Sequence, residues 1–228
     1  MTSDRTVLIV GASTGIGRGL ASVWLERGWR VIGTVRDDKG EAALRDLPGA
    51  ERLTVLRLDV ADDDRQEAIA EAIERPLDVL MLNAGVFGGP DLMSGSADEA
   101  LEVYRVNALG PARLGWRLRD KVREGTGVIA FTSTGMGSIE DNSSGGYDAY
   151  RASKAAQNML ARNLWHGVRA RGVTVLSIDP GWVKTAMGGP NASINVDTSA
   201  NGIVDQINQR SGDGDHQFIT WSGKRRTW

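Results

Sequence analysis

Short runs of aliphatic and β-branched residues alternate along this chain with longer stretches whose apolar positions recur every three or four residues. The short runs predict strands over residues 6–10, 30–35, 53–58, 79–82, 128–132 and 173–178, with a weaker one over 217–220. The longer stretches predict helices. One runs over 15–27, with Leu20, Val23 and Trp24 on a single face, and another over 62–74, with Asp62 as its N-cap. Long helical stretches cover 98–123 and 147–171, and a further helix covers 198–209. The run 79–82 is wholly apolar, as expected of a strand covered on both faces. Alternating β and α segments imply an α/β fold with a doubly wound parallel sheet of about seven strands and helices on both faces. No repeat, low-complexity tract or linker interrupts the pattern, so one domain over 1–228 is the economical expectation. Ligands of such sheets lie beyond the carboxyl ends of the strands, which is where chemistry-bearing residues should cluster.

Composition narrows the function classes. Hydrophobic content of 41% and charged content of 25% are those of an ordinary globular chain, not of a disordered one. No apolar run approaches the roughly 18–20 residues that span a bilayer, and the run at 6–10 is too short for a signal-peptide core. The expectation is a cytoplasmic protein without membrane contact. A net charge of −2 argues against a general nucleic-acid binder, and Lys224-Arg225-Arg226 reads as a solvated end. With Cys 0 there is no disulfide, thiolate nucleophile or cysteine metal site, and no other ligand cluster suggests a metal.

The first strand runs into Gly11-Ala12-Ser13-Thr14-Gly15-Ile16-Gly17. Glycines between a strand and an amphipathic helix permit a tight turn and let backbone N–H groups approach a pyrophosphate at the helix N-terminus. The same residues spell a decoy, because Gly11-Ala12-Ser13-Thr14-Gly15 matches the G-x-S-x-G elbow of serine hydrolases. His166 and His216 are the available histidines, but one lies mid-helix and the other in a polar stretch. An elbow after the first strand would also lack a preceding loop to form an oxyanion hole.

Later segments add Asp59-Val60, Asn83-Ala84-Gly85, Asn107, Ser133-Thr134, Tyr150-x-x-x-Lys154 and Pro180-Gly181, in that order and nearly all at strand ends. With the glycine loop, they make the chain resemble the single-domain branch of the short-chain dehydrogenase/reductase family from Thr6 to the last residue. The polar insert between Ser133 and Tyr150, the run from Pro180 to Gly189 and the final Trp228 are similar to the C-factor and small carbonyl-reductase-like subgroup. The resemblance implies a Rossmann-type fold that binds NAD(P). In it Gly11, Ser13, Thr14, Gly15, Ile16 and Gly17 cradle the phosphates. Asp59 accepts from the adenine amino group and Val60 flanks the ring. Asn83, Ala84 and Gly85 leave room for the adenosine ribose, while Pro180, Gly181, Val183 and Thr185 hold the nicotinamide amide. Val10 stands where many relatives carry threonine, so one side-chain hydrogen bond to the loop is expected to be missing.

Tyr150 and Lys154 are four apart and share a helix face, about 6 Å apart along the axis. A phenol near pKa 10 is a poor acid or base at neutral pH, and a nearby ammonium with a positive nicotinamide ring would lower that value. Lys154 would also hold the nicotinamide ribose. The resemblance assigns Asn107 to a helix distortion near Gly110-Pro111, ordering a water that relays protons to Lys154. Ungapped matching anchored on Gly127 and Gly137 puts Thr134 in the place of the family's catalytic serine and Ser133 one position before it; both remain candidates. At the end of the second strand, where NAD-selective sites carry an acid, stand Val35 and then Arg36, which suits a 2′-phosphate and favours NADP(H) over NAD(H). The expected activity is the interconversion of a small-molecule carbonyl and its alcohol, with Tyr150 as general acid and base. The alternative is an NAD(P)-binding signalling or regulatory protein of the C-factor type. The helices around 105–122 and 152–170 are candidates for subunit pairing into a dimer or tetramer, as in many relatives.

Overall fold

The computed structural model describes residues 5–74, 76–88, 91 and 93–228. Seven strands form one parallel sheet in the order β3-β2-β1-β4-β5-β6-β7. They are β1 (Thr6–Val10), β2 (Arg30–Val35), β3 (Leu53–Arg57), β4 (Val79–Leu82), β5 (Val128–Thr132), β6 (Thr174–Asp179) and β7 (His216–Thr220). The helices are α1 (Gly15–Glu26), α2 (Asp38–Arg45), α3 (Asp63–Ala72), α4 (Ala97–Tyr104), α5 (Gly110–Leu118), α6 (Asp148–Val168) and α7 (Val196–Arg210). Winding runs outward from β1 in one direction and from β4 in the other. The carboxyl ends of β1 and β4 therefore flank the crevice where such sheets bind ligands.

The apolar strands are explained by burial on both faces. Because side chains alternate, Val7, Ile9, Val79, Met81 and Ala130 face the layer containing Leu20 and Trp24 of α1 and Ile203 of α7. Their neighbours Leu8, Val10, Leu80, Leu82 and Phe131 face the opposite layer, with Leu114 of α5 and Leu164 of α6. Burying one such aliphatic or aromatic side chain stabilises the fold by roughly 1.5–3 kcal/mol.

Two departures from the sequence pattern matter for the site. The stretch 98–123 is not one helix: α4 passes into a π-helical turn, Arg105–Leu109, before α5 begins. Pro111 in the first turn of α5 has no N–H to return to the carbonyl of Asn107, four residues back, so the regular ladder breaks there. The second is α2, a short helix that the periodicity does not reveal. Its start is set by Asp37, whose carboxylate accepts from the Gly40 N–H at 2.7 Å. Among the described residues, no helix is long and apolar enough to cross a membrane.

Candidate active site

The glycine loop turns directly off β1. Gly11 (φ 82°) and Gly15 (φ 51°) adopt the left-handed region that other residues avoid. Gly17 lies beneath the loop, where a Cβ would come within 2.0 Å of the Gly11 carbonyl oxygen. The anchor expected to be missing at Val10 comes from elsewhere. Thr34 Oγ1 accepts from the Gly11 N–H (3.0 Å), and Asn83 Nδ2 donates to the Gly11 carbonyl (2.8 Å). Thr132 Oγ1 donates in turn to Asn83 Oδ1 (2.9 Å), tying the ends of β1, β4 and β5 together. No side chain caps α1, and its first turn carries no acid, so its N–H groups face the crevice as an anion site.

One cavity of about 1150 Å³ runs from this loop across the strand ends. It is lined by every catalytic and cofactor-binding candidate from the sequence except Gly17, which supports the loop from below, and Asn107, which is fully buried. Its volume, glycine cradle and uncapped helix N-terminus fit a dinucleotide. At the end of β2, Arg36 is exposed, lines the cavity and has no ion pair or side-chain hydrogen bond among the described residues. The neighbouring acids are engaged elsewhere: Asp37 caps α2, and Asp38 pairs with Arg57. Asp59 is exposed at the end of β3, its carboxylate accepting from the Ala61 N–H at 2.9 Å.

At the other end of the cavity, α6 presents Tyr150 and Lys154. The ammonium of Lys154 lies 6.0 Å from the Tyr150 ring centre. Lys154 is buried and donates to the Thr132 carbonyl (2.8 Å) and to Gln157 Oε1 (3.4 Å). Burial pulls its pKa down to about 8. Tyr150 departs from expectation. Burial first, and the Asp179 carboxylate second, push its phenol up to about 12. The hydrogen bonds of the ammonium go to Thr132 and Gln157 rather than to the phenol, so the lowering expected from Lys154 does not prevail. Phe87 packs on the Tyr150 ring at 4.9 Å and on that of Tyr147 at 5.1 Å.

Asn107 sits in the π-turn, as the expected helix distortion requires. Its side chain accepts from the Val86 N–H (2.7 Å) and donates to the Val86 carbonyl (2.9 Å) and to Ser153 Oγ (3.0 Å), stapling the loop after β4 to α6. Its carbonyl, left without the N–H of residue 111, accepts from Gln157 Nε2 at 2.6 Å. Gln157 thus bridges Lys154 and Asn107, and the orientation of its amide is unambiguous because an ammonium only donates and a carbonyl only accepts. Sequence reasoning misses Gln157; its one signal is its place three residues after Lys154.

The two hydroxyls at the end of β5 diverge. Ser133 Oγ, on a residue 1% exposed, donates to Asn158 Oδ1 of α6 at 2.8 Å. Thr134 is half-buried on the cavity wall, and its Oγ1 accepts from the Met136 N–H at 3.2 Å. Beyond β6, Thr185 closes a local turn, accepting from the Gly188 N–H at 3.0 Å. The C-terminal basic run needs correction. Lys224 and Arg225 are exposed, but Arg226 lines the cavity and pairs with the buried Asp179 at 2.6 Å. The hydrolase pattern finds no partners: His166 packs on Trp165, and His216 meets Ser177 and Trp228 rather than Ser13.

A family model described as short chain dehydrogenase matches residues 5–194. The chain belongs to that family. Among its short-chain dehydrogenase relatives, the C-signal protein of Myxococcus xanthus is 35% identical over 156 residues, covering 67% of this chain and 93% of that protein. A short-chain dehydrogenase/reductase from Burkholderia multivorans, solved with bound NADP, superposes with a TM-score of 0.92 at 36% identity, covering 99% of this chain and 100% of the other. A carbonyl reductase from Pseudomonas aeruginosa PAO1 in complex with NADP gives a TM-score of 0.89 at 36% identity, with the same coverage. The sheet order and the crevice at the strand ends are therefore those of a family of oxidoreductases.

Proposed function

We propose that this protein is an NADP(H)-dependent oxidoreductase that interconverts an aldehyde or ketone with its alcohol, Tyr150 handling the proton. The observation that carries the reading is the placement of the Tyr150 phenol and the buried Lys154 ammonium on one wall of the cavity whose far end is the glycine cradle. The structural relatives solved with NADP support the cofactor class. Arg36, without an acidic partner among the described residues, supports the phosphorylated form, because a guanidinium matches a phosphate in bidentate geometry.

Bound NADPH supplies the hydride. A phenol pushed up to about 12 stays protonated through the neutral range and can donate to the carbonyl oxygen as negative charge develops there. The Thr134 hydroxyl accepts a backbone hydrogen bond and so keeps its own proton to donate to the same oxygen. Lys154 holds positive charge next to the phenol, and Asn107 and Gln157 hold Lys154 and α6 in place. Phe87, Tyr147, Trp182 and Met187, all partly exposed, give the substrate end an apolar mouth.

A panel of aldehydes and ketones assayed with NADPH and with NADH tests the activity. Tyr150→Phe should retain cofactor binding while turnover falls by roughly 100- to 10,000-fold, the usual contribution of a positioned general acid. Wild-type rates in that variant would overturn the assignment of Tyr150. The relationship to C-signal favours a second reading, a cofactor-binding signalling protein. Tight NADPH binding with no turnover across the panel would select it.

A further inference from the structure

After β7 the chain turns back on itself, forming an antiparallel bridge between Ile219 and Arg225. The Arg226 N–H then donates to the Phe218 carbonyl at 2.9 Å, which fixes the backbone from which its side chain crosses the carboxyl ends of β6 and β5. Nε and Nη2 both reach Asp179 Oδ2 at 2.6 Å, and Nη1 reaches Asp141 Oδ2 at 3.2 Å. Thr227 Oγ1 donates to the second oxygen of Asp141 at 2.8 Å. The guanidinium lies flat against the backbone beside Thr134: a Cβ at Gly135 would meet its central carbon at 2.6 Å. Asp179 is 4% exposed, and its other oxygen accepts from the Gly181 N–H at 2.9 Å, shaping the loop after β6. Arg226 is the ionic partner of this buried carboxylate, and removing one member of such a pair leaves the other charge uncompensated.

We propose that Arg226 is a positioning residue of the active site, clamping the adjoining loops after β5 and β6 where they line the cavity and offsetting the Asp179 charge beside Tyr150. This rests on the reading of Tyr150 as the proton donor. The charged and titratable groups around that phenol and on the elements packed against α6 include, among the described residues, Lys154 and Arg151 on α6, Tyr147 before it, Glu102 on α4, Asp141 after β5, Asp179 at the end of β6 and Arg226 itself. Without Arg226, Asp179 stands as an uncompensated anion, which favours the protonated phenol and the charged ammonium alike. Without Asp179, the shift has the opposite sign. A residue that merely filled space would not produce opposite shifts.

The test has two arms. Hydrogen exchange read by mass spectrometry compares wild type with Arg226→Met, Arg226→Lys and, as the exposed neighbour, Arg225→Met. The proposal expects faster exchange over residues 135–141 and 179–183 in Arg226→Met, partial protection in Arg226→Lys and no change in Arg225→Met. In the second arm, reduction of 4-nitrobenzaldehyde by NADPH is followed against pH. The alkaline limb should move up by about one pH unit in Arg226→Met and down by a similar amount in Asp179→Asn, with the double variant, which lacks both charges, lying between them near wild type. If Arg226→Met fails to fold, the double variant, which removes both charges, carries the exchange comparison. Unchanged exchange in Arg226→Met, or limbs moving the same way in both single variants, overturns the proposal. If wild type leaves the aldehyde untouched, the proposed activity is in question while the exchange arm still decides the clamp.

Discussion

Thr134 and Ser133 are adjacent in sequence and differ by one methyl group, yet only one keeps a hydroxyl proton for a ligand. Strand alternation sends them to opposite sides, and Asn158 takes up the Ser133 proton. Thr134→Val should therefore lower turnover by roughly 100-fold or more, as expected when a hydrogen bond to a developing oxyanion is lost. Ser133→Ala should cost about 1 kcal/mol of stability with turnover nearly unchanged. Steady-state rates at saturating NADPH and urea unfolding of both variants measure this; the reverse pattern would make Ser133 the substrate donor. Side chains of this kind are legible in sequence when spacing places them, as with Tyr150 and Lys154 one helical turn apart. Gln157 is not, because what gives it meaning is the Asn107 carbonyl 50 residues earlier. The pKa of Tyr150 is likewise set by burial and by Asp179, neither of which the local sequence declares.

Among the elements, the junction of β2 with α2 bears most on the proposed preference for NADP(H). A sequence carrying Arg36, Asp37 and Asp38 in succession offers both a phosphate ligand and two possible ribose acceptors. The short helix draws Asp37 into its cap, and Asp38 pairs with Arg57, which leaves Arg36 as the proposed phosphate ligand. Arg36→Ala should then weaken NADPH binding by 10-fold or more while altering NADH binding little, as fluorescence titration of the two cofactors would show. Equal losses for both would remove Arg36 from the site. Strands read cleanly because burial on both faces leaves unbroken apolar runs; β2, β4 and β5 fall where the pattern predicts. The π-turn reads only as a distortion near Pro111, because proline alone cannot say whether a helix kinks, ends or merely begins anew. The helix α2 is missed because it buries little beyond Leu44 and Gly40, too few positions to make a period.

For the whole molecule, acid stability should be governed in part by His216, at the start of β7. It is buried against Trp228, with Nδ1 lacking a partner, and burial, helped by Arg162 and His166, pulls its pKa down to about 3. The unfolded chain binds a proton there below about 6.5 while the folded chain does not, so stability falls as pH drops through that window, by about 1.4 kcal/mol per unit. Urea unfolding at pH 7 and pH 5 should show a smaller acid loss in His216→Gln than in wild type; equal losses would remove His216 as the cause. The parallel sheet itself follows from alternating β and α segments, whereas its strand order and the way the sheet ends do not. The outer rim of β7 is covered by its own chain, the Thr220 N–H donating to the Lys224 carbonyl and the Phe218 carbonyl accepting from Arg226. Those groups would otherwise be an open template for a strand from another molecule. The same last residues that reach the cavity therefore also guard the protein against edge-to-edge aggregation, so that shortening the chain there would expose a sticky border as well as a damaged site.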